Sequence, residues 1–156
     1  MLEPKSILDK FQSVELKADL SCVPEACRSA FPALKRAIDL VTRIYLEQQG
    51  ELADYERVSS GAPGVEREFY EFFLGPWDPL EGNESAFASH GKRAPGAGLY
   101  PEGLDAGALK SLAAKLPGHE RDRIYDHYTV VERDAGGGLR AFDYHEAYAK
   151  ELREIA

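Results

Sequence analysis

With 156 residues, 44% of them hydrophobic and 29% charged, the chain is long enough to bury roughly 70% of the surface its unfolded form exposes, so it reads as one domain folding on its own core. A formal net charge of −8 argues against a nucleic acid or an anionic membrane as partner, since both need a concentrated basic face that Lys92-Arg93 is too small to supply. No apolar run approaches the ~20 residues of a membrane span, and "MLEPKSILDKF" carries charges where a signal peptide is apolar, which predicts a cytoplasmic location, or a periplasmic or secreted one if a signal has been removed.

In chain order, Cys22 and Cys27 come first, five apart, which is not the C-x-x-C of a redox or zinc knuckle, so both are expected to be free thiols. Cys27, Phe31, Leu34, Ile38, Val41 and Tyr45 then alternate spacings of four and three, the pattern of one buried helix face. Pro24 suits a first helical position, Pro32 should kink this helix or mark its true start, and Gly50 should stop it. A shorter helix carrying Phe69, Phe72 and Phe73 ends at Gly75-Pro76. Residues 75–103 are too rich in Gly and Pro for a regular element, yet they hold Trp77, Phe87, Leu99 and Tyr100, which predicts a long ordered aromatic loop.

Helical spacing returns through Leu104, Ala108, Leu109, Leu112 and Leu116, with Asp105 as N-cap and Pro117-Gly118 as stop. Alternation of bulky and polar residues on both sides of "DAGGG" predicts a β-hairpin. A last helix is expected over Tyr144–Ile155, capped by Asp143. The fold class that follows is α+β and helix-rich: one long amphipathic helix and shorter helices packed with a β-hairpin or small antiparallel sheet.

The chemistry-bearing residues are fewer. His145-Glu146 opens a helix as a zinc peptidase motif would, but a second ligand would have to stand at Ala149 or Lys150, and in His119-Glu120 it would stand at Arg123. The four histidines, His90, His119, His127 and His145, could build a small metalloenzyme only by converging in space. No G-x-S-x-G is present, and the glycines of "GAGLYPEG" follow no strand, so neither a nucleophile elbow nor a phosphate loop is indicated. No catalytic or metal-binding residue is assigned.

Four stretches, "VELKADLS", "FFLGPWDPLEGN", "GAGLYPEGL" and "YTVVERDAGGGLRAFDYHEAYAKEL", taken in this order, resemble the N-terminal part of bacterial dipeptidyl peptidase III-like zinc hydrolases, which also occur fused behind Nudix domains. That resemblance implies a zinc cofactor held by His-Glu-x-x-Gly-His and a distant Glu, none of which lies in these 156 residues. It implies an N-terminal scaffold of a larger enzyme, with Trp77, Tyr100, Tyr144, His145 and Glu146 as candidate peptide-substrate contacts. The expected partners are the remainder of the enzyme or a second copy, and an exposed apolar patch should mark where they sit. The alternative is a stand-alone binding or protein-interaction module of the same architecture, using residues 75–103 for recognition.

Overall fold

The computed structural model describes residues 3–93, 96 and 98–156; Ala94, Pro95 and Ala97 of the expected 75–103 loop lie outside the described residues. The fold is α+β, as the periodicities predict, and it divides into two compact units, Met1–Arg43 with Glu51–Arg93 and Ile44–Gly50 with Ala94–Ala156. No helix among the described residues is long and apolar enough to cross a membrane.

In the first unit, α1 (Pro4–Leu8) and α5 (Val65–Phe73) pack through Ile7, Leu8 and Phe69, joined by Ala86 and the half-buried Phe73 and Phe87. The rings are the substance of this core. Phe11 lies 4.7 Å from Phe72, and Phe69 lies 4.6 Å from Phe73 and 5.3 Å from Phe87, in the tilted and edge-on arrangements that aromatic quadrupoles favour. Helix α4 (Leu52–Ser59), which the hydrophobic pattern did not announce, contributes only Val58 to the buried set. A single turn of helix, α2 (Glu25–Arg28), precedes α3 (Phe31–Gln49), and Pro32 stands at the second position of α3, so it marks the true start of that helix. Gly50, at φ +73°, ends it in the left-handed region where a side chain is strained.

The apolar face of α3 is the main correction to the sequence reading. Its stripe is not buried: Phe31, Leu34, Ile38, Val41 and Tyr45 are all exposed, Leu46 is the helix's one buried residue, and Cys27 is an exposed free thiol outside the helix. Periodicity establishes that one face is apolar; it is silent on whether the same chain covers it.

Within the 75–103 stretch a second correction appears. Strands β1 (Trp77–Asp78) and β2 (Glu84–Ser85) pair antiparallel across a single 3-10 turn, Pro79–Glu81. The turn closes because the Asp78 carboxylate accepts from Leu80 N at 2.8 Å, an Asx-type bond, with Gly82 at φ +68° as its stop. Two-residue strands are too short to leave a period in the sequence.

The second unit packs α6 (Ala106–Ala113), α7 (Gly118–Ile124) and the hairpin β3 (Thr129–Arg133) with β4 (Leu139–Asp143) around Ala113, Ile124, Val131 and Leu139. Asp105 caps α6 as expected, accepting from Ala108 N at 2.7 Å. Pro117-Gly118, read as a stop, also opens α7, since a proline lacking its N–H fits just ahead of a first turn. The hairpin register runs from Thr129 opposite Asp143 to Arg133 opposite Leu139. Its loop is tied by the Asp134 carboxylate, which accepts from Gly136 N at 2.8 Å and Gly138 N at 2.9 Å. The expected last helix is two, α8 (Tyr144–Ala147) and α9 (Ala149–Ile155), because Tyr148 leaves helical geometry at φ −109°, ψ 27° to bury its ring.

One close approach attaches the 96–100 turn to the end of α3. Gly98, at φ +80°, lies so near Glu47, Gln48 and Gly50 that a Cβ there would collide with their backbone, whereas the equally left-handed Gly137 faces open space. Gly98→Ala is therefore expected to cost roughly 2–4 kcal/mol and Gly137→Ala about 1 kcal/mol, measured by urea unfolding. Equal losses would contradict this reading of Gly98.

Candidate functional site

The five candidate contacts fall in different units. Trp77 belongs to the first, where its indole Nε1 donates to Gly91 O at 3.0 Å, the Arg93 guanidinium lies 5.5 Å from its ring centre, and the His90 ring meets it edge-on at 6.4 Å. Tyr100 belongs to the second, half-buried against its core with its hydroxyl donating to Ile124 O at 3.0 Å, and burial pushes its phenol pKa up. Both aromatics thus anchor the segment that carries them.

Tyr144, His145 and Glu146 share the first turn of α8. The Tyr144 ring stacks edge-on between Tyr128 at 6.1 Å and Tyr148 at 5.6 Å, and its N–H donates to Tyr128 O at 3.0 Å. Tyr148 is buried, which raises its phenol to about 12, and Gln48 hydrogen-bonds it. His145 is exposed. Glu146 closes a capping box, its carboxylate accepting from Asp143 N at 3.2 Å.

Beside Glu146 opens a groove of about 320 Å³ lined by Leu116, Glu120, Arg123, Asp134, Arg140 and Glu146 among others. Its charges are largely engaged within the fold. Arg123 lies 2.8 Å from Asp143 and 3.9 Å from Glu146, Arg140 covers the Phe142 ring at 4.5 Å, and Asp134 ties the hairpin loop. Such a lining of mixed sign, with no hydroxyl or thiol beside a base, can orient a polar chain but offers no nucleophile.

Sequence reasoning missed a cluster in the first unit. His90 Nε2 lies 2.6 Å from Asp54 and 3.4 Å from the hydroxyl of the fully buried Tyr70, while Ser89 Oγ is 2.9 Å from His90 Nδ1. Hydroxyl, imidazole and carboxylate stand in the order of a nucleophile relay, yet Ser89 reaches only the ring of the next residue, a contact available to any Ser-His pair. The bond to His90 also holds the Asp54 carboxyl below its ordinary pKa. Nearby, Glu51 is 7% exposed, its Oε2 has no hydrogen-bond partner, and burial, then the Asp54 charge, pushes its carboxyl up to about 7. The separation of 36 positions between Asp54 and His90 hides this pairing from any local motif.

Zinc, implied by the resemblance, does not fit these residues: among the described residues no three His, Cys, Asp or Glu side chains converge where they could hold a metal ion.

No family model and no curated protein matches the chain. Two solved structures share its fold: DPP III from Caldithrix abyssi, at TM-score 0.82 and 22% identity, and dipeptidyl-peptidase III from Corallococcus sp. strain EGB, at TM-score 0.72 and 20% identity. Each match covers 97% of this chain and 29% of the other, so this chain spans less than a third of the length of the structures it resembles.

Glu51 makes the first unit pH-sensitive. Its folded pKa of about 7 stands above the ordinary 4.5, so protonated Glu51 favours the fold in full below pH 4.5, and that advantage is lost as pH rises through 7. Unfolding by urea should show about 3 kcal/mol less stability from this group at pH 8 than at pH 4.5. Glu51→Gln should remove that slope; an unchanged slope in the variant would contradict the assignment. The fold the chain shares is that of a portion of the two dipeptidyl peptidase III structures.

Proposed function

We propose that this chain serves as the N-terminal scaffold and substrate-cleft region of a dipeptidyl peptidase III-like, zinc-dependent hydrolase, and that it is not catalytic alone. The observation that carries the reading is the fold match, which takes in 97% of this chain and only 29% of each solved structure. A match that takes in almost all of this chain and under a third of the larger structures supports reading it as a part of that architecture.

The order and spacing of the four sequence stretches support the N-terminal assignment, and the absence of His-Glu-x-x-Gly-His from the sequence leaves zinc to residues elsewhere. In this reading the chain supplies wall and orientation. The groove beside Glu146 offers carboxylates and guanidinium groups to the backbone and charges of a peptide, with the Tyr128–Tyr144–Tyr148 rings fixing the turn that carries Glu146. Trp77, bonded to Gly91 and covered by Arg93, would stiffen the corresponding segment of the first unit.

The test is hydrolysis of chromogenic dipeptidyl substrates by the purified 156-residue chain with added zinc, beside the longest polypeptide its reading frame encodes. The expected result is no turnover above the zinc blank for the chain and chelator-sensitive turnover for a polypeptide that continues into a zinc motif. Chelator-sensitive turnover by the chain alone would overturn the proposal. A stop codon directly after Ala156 would overturn it too, in favour of a stand-alone binding module.

A further inference from the structure

Two groups that would match each other lie against one ring of the first unit without meeting. Glu51 buries a carboxyl oxygen, Oε2, that has no hydrogen-bond partner. Arg93, half-buried, makes no ion pair among the described residues and rests its guanidinium 5.5 Å from the centre of the Trp77 ring. Gly75 lets the carboxyl reach the same ring: a Cβ built there would stand 3.8 Å from both Glu51 Oε2 and Trp77 Cε3, so carboxyl and indole flank bare backbone. A buried carboxyl in this setting is tolerated while it is neutral; once ionised it needs a counter-charge, because an unpaired charge out of water is costly.

We propose that Glu51 and Arg93 form a proton-operated latch on Trp77: with Glu51 protonated the guanidinium covers the indole, and with Glu51 ionised it leaves the ring to pair with the carboxylate. The other groups that face this carboxyl leave the answer to Arg93. Asp54, on α4, is a second carboxylate and repels the new charge. The His90 imidazole is already bonded to Asp54 at 2.6 Å, with Ser89 Oγ 2.9 Å from its other nitrogen. Arg57, also on α4, is held by Asp54 at 3.2 Å. Tyr70 of α5 is fully buried, and burial pushes its phenol above the ordinary range, so it stays neutral.

Energy and pH follow from the chemistry of the two arrangements. A cation–π contact at a half-exposed ring is weaker than a charge-assisted pair with a desolvated carboxylate, so the ionisation of Glu51 decides where the guanidinium sits. Burial, then the Asp54 charge, sets that ionisation at about 7. The indole is therefore covered in mild acid and open to a ligand above neutrality. The latch goes beyond the functional reading above and stands apart from it, since neither zinc nor a peptide enters it.

Nuclear magnetic resonance of the full chain, titrated from about pH 5 to about pH 9, follows both partners at once. The Arg93 Cδ protons, shielded by the indole beneath them, should move downfield with the same midpoint, about 7, as the Glu51 carboxyl carbon. Trp77, the only tryptophan, should shift its emission to longer wavelength over the same range as water reaches its face. In Glu51→Gln both changes should vanish with the circular dichroism spectrum unchanged. In Arg93→Gln the Glu51 carboxyl should titrate at higher pH and the emission should stay constant. Arg93 protons that remain shielded while Glu51 ionises, or that move in Glu51→Gln as they do in the parent chain, would overturn the proposal. So would a His90 ring that moves with Glu51 while Arg93 stays, because the imidazole would then be the counter-charge. The titration of the parent chain decides between these outcomes even where a variant fails to fold. The hydrolysis assay is unmoved by any of them, so the two readings fail separately.

Discussion

The contact on which most of the second unit hangs is made without a side chain. Gly98 brings its backbone against the last turn of α3, at Glu47, Gln48 and Gly50, in a space too small for a Cβ. From there Leu99 O accepts from Val131 N at 2.8 Å, fixing the turn to the edge of β3, and Tyr100 enters the core and bonds Ile124 O. Gln48, in the same turn of α3, hydrogen-bonds Tyr148, which breaks α8 from α9. One turn of helix thus organises a loop, a hairpin and the C-terminal helices.

The rest of α3 contrasts with that turn. Its first ten residues are almost wholly exposed, while the cores lie elsewhere: Ile7 and Leu8 of α1 against the rings of α5 in the first unit, aliphatic residues of α6, α7 and the hairpin in the second. An apolar helix face without cover is a cost in water at roughly 25 cal/mol per Å², and chains rarely retain one unless a partner removes it.

Local patterns announced much of this fold. The hairpin was legible because Val131 and Leu139 alternate with exposed residues around a glycine loop, and α6 because Asp105 caps it. Short elements were not: β1 and β2 have two residues each, and α7 hides behind a Pro-Gly that reads equally as an end. Burial was legible only where the chain covers itself, so the α3 stripe misled. Of the site, Glu146 and Tyr144 could be found from their place at a helix start, but Asp54, Tyr70 and His90 meet only after folding, and the buried Glu51 looks in sequence like any surface carboxylate.

The central claim is that α3 is held at its C-terminal turn and uncovered along its N-terminal half. Amide hydrogen exchange along this helix, followed in dilute solution, tests it most directly, because protection reports the local cost of opening. The account predicts that residues 33–41 exchange well before residues 46–49. Uniform protection along the whole helix at the lowest concentration would contradict it.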